Sequence, residues 1–310
     1  MNQSDPGSRR TVQKTLAFAL LSLWLLSGCA VQLAYDNVDR LSRWFVSDYI
    51  VLTDPQRRVF DQGVLDIWNW HRGAHLPRYA DFLEALRTSL KDGTDTAEIE
   101  SVVNTVIGWA EEIEARALPV AINLLASLSD EQVAELRRRL AADNAELAED
   151  ELGESIEMSQ RRWQREMKSR MTRFVGRLTD AQVDYIAAQS VRYVPERVLW
   201  SEYRSRWQAD LLQLLAERAD ATRFDTGFRR LAASREAYYG AELTAIWARN
   251  RALSTEVTVW LFNDLNNSQR QRMDERLREL ALELRELVPQ ALPEGGAPAD
   301  SSGCNGVTTC

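Results

Sequence analysis

Apolar residues recur along most of this chain at the spacing of an α-helix, and this pattern limits the fold more than any other feature. No segment alternates apolar and polar residues as a half-buried strand does, and no Asn-Gly or Asp-Gly turn joins two strand-like runs. Steps of four and three residues place side chains on one helix face. The clearest such run is Met273, Leu277, Leu280, Leu284 and Leu287. The sequence therefore predicts an all-α protein, built as a multi-helix bundle or array.

Prolines and glycines predict where individual helices end. Proline lacks the amide hydrogen and clashes with the preceding turn, so we expect Pro77 to separate a helix over residues 54–72 from one over residues 78–91. Pro119 should likewise kink or stop the helix that precedes it. Gly227 and Gly240 are candidate interruptions in a later, long apolar pattern over residues 224–262.

The first 28 residues have the parts of a secretory signal peptide. Arg9, Arg10 and Lys14 supply positive charge, and an apolar run follows over residues 15–26. This run is too short for a membrane-spanning helix, which needs about 20 residues. The arginine pair leaves two export routes open, general secretion and the twin-arginine route.

Residues 26–29, Leu-Ser-Gly-Cys, resemble the lipobox of bacterial lipoproteins. The resemblance implies cleavage between Gly28 and Cys29, a diacylglycerol on the Cys29 thiol and an acylated new N-terminus. Several acyl chains together attach a protein durably. In such lipoproteins an Asp directly after the lipidated cysteine commonly retains the protein in the inner membrane, whereas Ala30 and Val31 follow here. The resemblance therefore implies the outer membrane, on its periplasmic face.

The charge of the chain and its few histidines limit the function. The net charge is −8, and removal of the signal peptide would change it to −10. Nucleic acids attract a basic surface, so no nucleic-acid partner is expected. The only histidines, His71 and His75, are too few for a metal site and are expected to form caps or hydrogen bonds near Pro77. Gly-x-Ser-x-Gly and phosphate-binding loop motifs do not occur. We expect no enzymatic activity, no metal and no cofactor.

The C-terminal residues 289–310 are rich in Gly, Pro and Ser, and this composition predicts a disordered tail. Cys304 and Cys310 lie within this tail. In an oxidising compartment the two thiols are expected to form a disulfide with each other.

Four helix starts share one pattern, in which Thr, Ser or Asn is followed three residues later by Gln. Each fits a capping box, where the first side chain accepts from the Gln amide and the Gln side chain accepts from the first amide. The four are Thr53 with Gln56, Ser129 with Gln132, Thr179 with Gln182, and Asn266 with Gln269. Many helices begin this way, which is the simpler interpretation. The spacing also divides the mature chain into two similar helical halves, residues 29–152 and 153–288.

A leucine precedes each of the two Thr caps, and Leu-Thr-x-x-Gln occurs twice per subunit in periplasmic stress chaperones of the Spy and CpxP type. The chain is similar to that family at these caps, with Ser129 and Asn266 in place of Thr. The resemblance implies a small helical cradle that holds unfolded clients without ATP.

A second resemblance covers most of the chain. The chain resembles an uncharacterised proteobacterial lipoprotein family. The resemblance lies in the lipobox followed by Tyr35-Asp36-Asn37, and then in Trp68-Asn69-Trp70-His71-Arg72, Leu76-Pro77-Arg78-Tyr79 and residues 203–208 (YRSRWQ). That family is a domain of unknown function and implies no activity.

Aromatic residues beside arginines are the candidates for a partner-binding surface, because Trp, Tyr and Arg are enriched at interaction hot spots. One group lies on both sides of Pro195: Tyr193, Arg197, Trp200, Tyr203, Arg204 and Trp207. Trp68 and Trp70 are added because residues two apart do not share a helix face, so one of them is expected to line a groove or an interface. A buried helix seam with stacked arginines is the alternative.

These features predict a lipid-anchored periplasmic helical protein with a non-enzymatic binding or envelope-maintenance role, including chaperone-like holding of unfolded chains. The alternative is a structural partner of an outer-membrane or cell-wall assembly. A cell-wall hydrolase is the least favoured function.

Overall fold

A computed structural model describes residues 37–152 and 154–288, and no strand occurs among them, which confirms the all-α prediction. The helices are α1 (Val38–Ser47), α2 (Asp54–Ser89), a 3-10 turn (Leu90–Asp92), α3 (Thr96–Ala126), α4 (Asp130–Leu152), α5 (Ile156–Val175), α6 (Asp180–Ser190), α7 (Arg197–Ala216), α8 (Ala221–Ala233), α9 (Arg235–Asn263) and α10 (Asn267–Glu286). Within those ranges, no helix is both long and apolar enough to cross a membrane. The predictions for Gly28, Cys29, Cys304, Cys310 and the tail lie outside the described residues.

The prediction that Pro77 ends a helix was wrong, because α2 continues through it, and α3 continues through Pro119. Each proline removes the hydrogen bond to the carbonyl four residues earlier. Those carbonyls belong to Gly73 and Ala115, which are both exposed, so water can satisfy them. Fully buried Leu76 flanks Pro77 and holds the helix by packing.

Gly227 does not interrupt its helix, because α8 continues through it, whereas Gly240 does interrupt α9. Its φ of 74° and ψ of 161° put a kink inside α9. Positive φ is a conformation that glycine adopts without a steric penalty.

The helices pack into an array in which α10 lies along α2, α3 pairs with α2, and α7 contacts α4, α8 and α9. Two main apolar clusters form the core. One is Ile50, Ile122, Leu128, Val133, Leu136, Leu140, Leu211, Leu215, Phe224, Phe228 and Leu231. The other is Leu90, Trp163, Met167, Met171, Val175, Leu178, Ile186, Leu253, Val257, Leu261, Leu265, Met273 and Leu277. Each cluster contains residues from both predicted halves of the chain. The predicted boundary between the halves, after residue 152, stays a prediction.

Candidate functional site

An open cleft lies where α4 and α7 meet the end of α1, and we call it the apolar cleft. Trp200, Tyr203, Trp207 and Leu211 recur at steps of three and four, so α7 turns one face toward α4. The volume of the cleft is about 370 Å³. Its lining is Tyr49, Ile50, Leu125, Leu136, Leu140, Trp200, Tyr203, Arg204, Trp207, Gln208 and Leu211.

The cleft has a buried floor and an exposed aromatic rim. Ile50, Leu136, Leu140 and Leu211 are buried and belong to the core. Trp200 is 42% exposed, although it is large and apolar. Its ring lies 4.9 Å from that of Tyr203 and 5.8 Å from that of Trp247 (centroid distances), and these neighbours hold its orientation.

One carboxylate organises the polar edge of the cleft. The Tyr49 hydroxyl donates to Asp143 Oδ2 at 2.6 Å, and Arg204 Nη2 lies 3.6 Å from the same oxygen. Burial, and then the hydrogen bond to Asp143, raise the pKa of Tyr49 to about 12. The hydroxyl is therefore protonated and neutral at physiological pH.

Hydrogen bonds attach the end of α1 to α4 and fix the wall of the cleft. Arg139 Nη1 donates to the Asp48 carbonyl at 2.5 Å, and Arg139 Nε also pairs with Glu135. Asn144 Nδ2 donates to Gln208 Oε1 at 2.7 Å, which links α4 to α7. Three hydrogen bonds therefore join separate elements around the cleft: Tyr49 to Asp143, Arg139 to Asp48, and Asn144 to Gln208. Because these bonds fix its walls, the cleft is preformed and can receive an apolar group without refolding.

The remaining members of the predicted α7 group lie elsewhere. Tyr193 packs against Trp163 with ring centroids 6.1 Å apart, and its hydroxyl donates to Glu196 Oε2 at 2.7 Å. Arg197 pairs with Glu154 at 3.1 Å. Thus Trp200, Tyr203, Arg204 and Trp207 come together at the cleft. The other two residues support the α5–α7 junction instead.

Trp68 and Trp70 lie on α2 beside the two histidines. Trp68 stacks on His71 with centroids 5.7 Å apart, and Trp70 meets His75 edge-on at 4.6 Å. The Arg116 guanidinium lies 5.7 Å from the centre of the Trp70 ring. Neither tryptophan lines the apolar cleft.

The histidines and Tyr79 form a buried cluster, with His71 Nε2 3.3 Å and His75 Nδ1 2.9 Å from the Tyr79 hydroxyl. His75 Nε2 lies 3.3 Å from Glu112 Oε2 but without hydrogen-bond geometry. Burial, together with His75, lowers the pKa of His71 to about 4. Burial also lowers the pKa of His75, against the opposing effect of Glu112. Both rings are therefore neutral at neutral pH.

Among residues 37–152 and 154–288, no three His, Cys, Asp or Glu side chains are grouped so that they could hold a metal ion.

The four predicted helix starts adopt capping boxes, and the structure joins them in pairs. Gln56 and Gln132 donate their Nε2 groups to each other's Oε1 at 3.0 and 2.8 Å. Gln182 and Gln269 do the same at 3.1 and 2.8 Å. Each Oε1 also accepts from the amide of its own cap: Thr53, Ser129, Thr179 and Asn266.

Each glutamine also bonds to the main chain of the partner segment, and Gln182 reaches the Asp264 side chain as well. In each case Nε2 donates to the carbonyl two residues before the cap of the partner helix. Gln56 donates to Ser127 and Gln132 to Val51. Gln182 donates to Asp264 and Gln269 to Arg177. This pairing was not predicted. The signal in the sequence was the identical position of Gln in all four boxes, because a cap alone accepts Glu equally well. A glutamate has no Nε2 donor and cannot form the reciprocal pair.

The family described as "Family of unknown function (DUF6279)" matches residues 48–244, which is more than half of the chain. The chain belongs to this family. The matched segment contains the whole apolar cleft, from Tyr49 to Leu211, and the histidine cluster, whereas α1 lies before it. The comparisons with curated proteins and with solved structures gave no match.

Proposed function

We propose that this family member is a lipid-anchored envelope protein that binds apolar segments of other polypeptides in the apolar cleft. Attachment is through Cys29, at the periplasmic face of the outer membrane. The observation that carries the proposal is a preformed cleft with an apolar floor and a tryptophan, Trp200, that is 42% exposed at its rim. Large apolar side chains that remain exposed together commonly mark an interaction site.

The size and the chemistry of the cleft suit a polypeptide. Binding pockets span about 300–1,000 Å³, and 370 Å³ is at the small end, enough for a few apolar side chains. A polypeptide also brings polar main-chain groups, and protein interfaces surround an apolar centre with a polar rim. Here Tyr49, Asp143 and Arg204 supply that polar rim beside the leucine floor.

Two sequence resemblances support the location and the mode of action. The Leu-Ser-Gly-Cys29 segment resembles a lipobox, and Ala30 after it favours the outer membrane. The Leu-Thr-x-x-Gln helix starts resemble those of periplasmic chaperones that hold unfolded clients. The proposal therefore favours holding of unfolded chains over recognition of one folded partner.

Aggregation of an unfolded client tests the cleft directly. Reduced, denatured α-lactalbumin is diluted into buffer with the purified protein, and light scattering is followed. We expect the wild type to suppress scattering and Trp200→Ala to lose most of the suppression. Trp44→Ala is the matched control, because Trp44 is 43% exposed but lies outside the cleft. Equal suppression by the two variants would show that the cleft does not bind clients.

Crosslinking in intact cells separates the two binding functions. A photo-crosslinking amino acid at position 200 should trap many unrelated polypeptides, and the same group at position 44 should trap far fewer of them. A single stoichiometric crosslinked product at position 200 would instead show that the cleft binds one fixed structural partner and does not hold unfolded clients.

Processing tests the anchor separately. Cys29→Ala should abolish incorporation of a radiolabelled fatty acid and block cleavage of the signal peptide, so that the longer precursor accumulates. If Cys29→Ala leaves both unchanged, the lipid anchor is abandoned while the cleft experiment still stands.

A further inference from the structure

Helix α1 turns an exposed stripe away from the rest of the protein. Arg40, Trp44 and Ser47 follow each other at steps of four and three, and all three are exposed. Trp44 is 43% exposed, and Val51, just beyond the helix, is 67% exposed. The opposite side of α1 is anchored, because Val46 packs on the core.

The tether keeps α1 close to the membrane, and here the inference rests on the proposed lipid on Cys29. Eight residues separate Cys29 from Val38, where α1 begins. A fully extended chain spans at most 3.3–3.6 Å per residue, so α1 starts within about 30 Å of the lipidated sulfur.

The charge of this end of the protein is compatible with a membrane surface. Residues 37–62 contain four arginines and four aspartates, whereas the whole chain has a net charge of −8. The acidic excess therefore lies elsewhere, and an anionic lipid surface repels the neutral α1 end less than it repels the acidic segments of the chain. Arg40 is exposed on the same stripe as Trp44, where it can meet lipid phosphates.

We propose that the outer stripe of α1, formed by Arg40, Trp44 and Ser47 and continued by Val51, lies in the headgroup region of a phospholipid membrane. Tryptophan favours this region because its ring is apolar and its N–H is polar. Tyr49 and Ile50 follow α1 and line the apolar cleft. Contact between α1 and lipid therefore holds the mouth of the cleft at a defined height above the membrane.

Vesicle binding by the mature chain tests the proposal. The chain with Cys29→Ala, which carries no lipid, is mixed with vesicles of phosphatidylethanolamine and phosphatidylglycerol (3:1) and its partition measured by sedimentation. Trp44→Ala should lower the partition coefficient about tenfold, since half-exposed tryptophan loses a large apolar surface. Trp200→Ala is the equally exposed control and should change it less than twofold. Arg40→Glu should weaken binding only when phosphatidylglycerol is present.

The lipidated protein supplies the second measurement. In vesicles of the same lipids brominated near the headgroup, the fluorescence quenching should fall in Trp44→Phe and stay unchanged in Trp200→Phe. If Trp44 variants match the Trp200 variants in both assays, α1 does not contact lipid, whatever holds the protein to the membrane. If Cys29→Ala leaves processing and fatty-acid labelling unchanged in cells but Trp44→Ala lowers vesicle partition, the anchor fails and the α1 contact stands.

Discussion

The two pairs of capping boxes use the same hydrogen bonds in different surroundings. Gln182 is fully buried and Gln269 is 3% exposed, whereas Gln56 is 9% exposed and Gln132 is only half-buried. Distances within the pairs are nearly equal, 3.1 and 2.8 Å against 3.0 and 2.8 Å. Geometry therefore does not distinguish the pairs, and access to water does. A buried group left without its partner cannot be rehydrated, so loss of the second pair should cost more.

The largest effect is expected for Gln182→Ala. The substitution removes the acceptor for the Thr179 amide, the donor to the Asp264 carbonyl and both hydrogen bonds to the buried Gln269 side chain. We expect a loss of about 2–4 kcal/mol in the free energy of unfolding, combining a lost cap with unsatisfied buried groups. Urea unfolding followed by circular dichroism measures it. A loss no larger than that of Gln56→Ala would contradict the role given to burial.

The histidine cluster should add a pH dependence that neither glutamine pair has. The pKa of His71 is lowered to about 4 from its ordinary value of 6.5, so the unfolded chain binds protons more readily between these values. Stability is therefore full above pH 6.5 and falls as the pH drops toward 4. Because water reaches part of the ring, we expect about 1–2 kcal/mol rather than the full shift.

His71→Gln tests this pH dependence. The difference in unfolding free energy between pH 7 and pH 4.5 should shrink in this variant relative to wild type. In Gln182→Ala it should keep its wild-type size, because glutamine does not titrate. An unchanged difference in His71→Gln would exclude His71 as the source.

The smallest effect is expected at the first pair. Gln56→Ala removes the same kind of hydrogen bonds as Gln182→Ala. Because the partner Gln132 is only half-buried, water can reach its side chain and replace some of the lost hydrogen bonds. We expect about 1 kcal/mol. A double-mutant cycle with Gln132→Ala should give a smaller coupling energy than the Gln182 and Gln269 cycle. Equal coupling in the two cycles would mean that both pairs are equally shielded from water.

Helix starts were accessible from the sequence because a capping box joins residues only three apart. The pairs Thr53 with Gln56 and Asn266 with Gln269 illustrate this, since all their cap bonds stay within one turn. The all-α class followed from periodicity for the same local reason.

The break at Pro77 was mispredicted because local propensity competes with packing. Leu76 is fully buried and Ala80 is fully buried on the next turn, so both fix α2 on each side of the proline. The cost of the missing hydrogen bond is limited by the exposure of Gly73. The sequence of α2 alone does not show that α10 packs along it and supports it on both sides of Pro77.

Local spacing placed Trp200, Tyr203, Arg204 and Trp207 on one helix, and it placed four glutamines at four helix starts. Which partners they meet depends on residues far along the chain: Tyr49 and Asp143 for the cleft, and a second glutamine 76 or 87 residues away for each cap. Helix formation depends on neighbours within about four residues, whereas these contacts form only when separate helices pack. Local sequence therefore specifies where the helices start, whereas tertiary packing decides that α2 continues through Pro77, which side chains pair and which line the cleft.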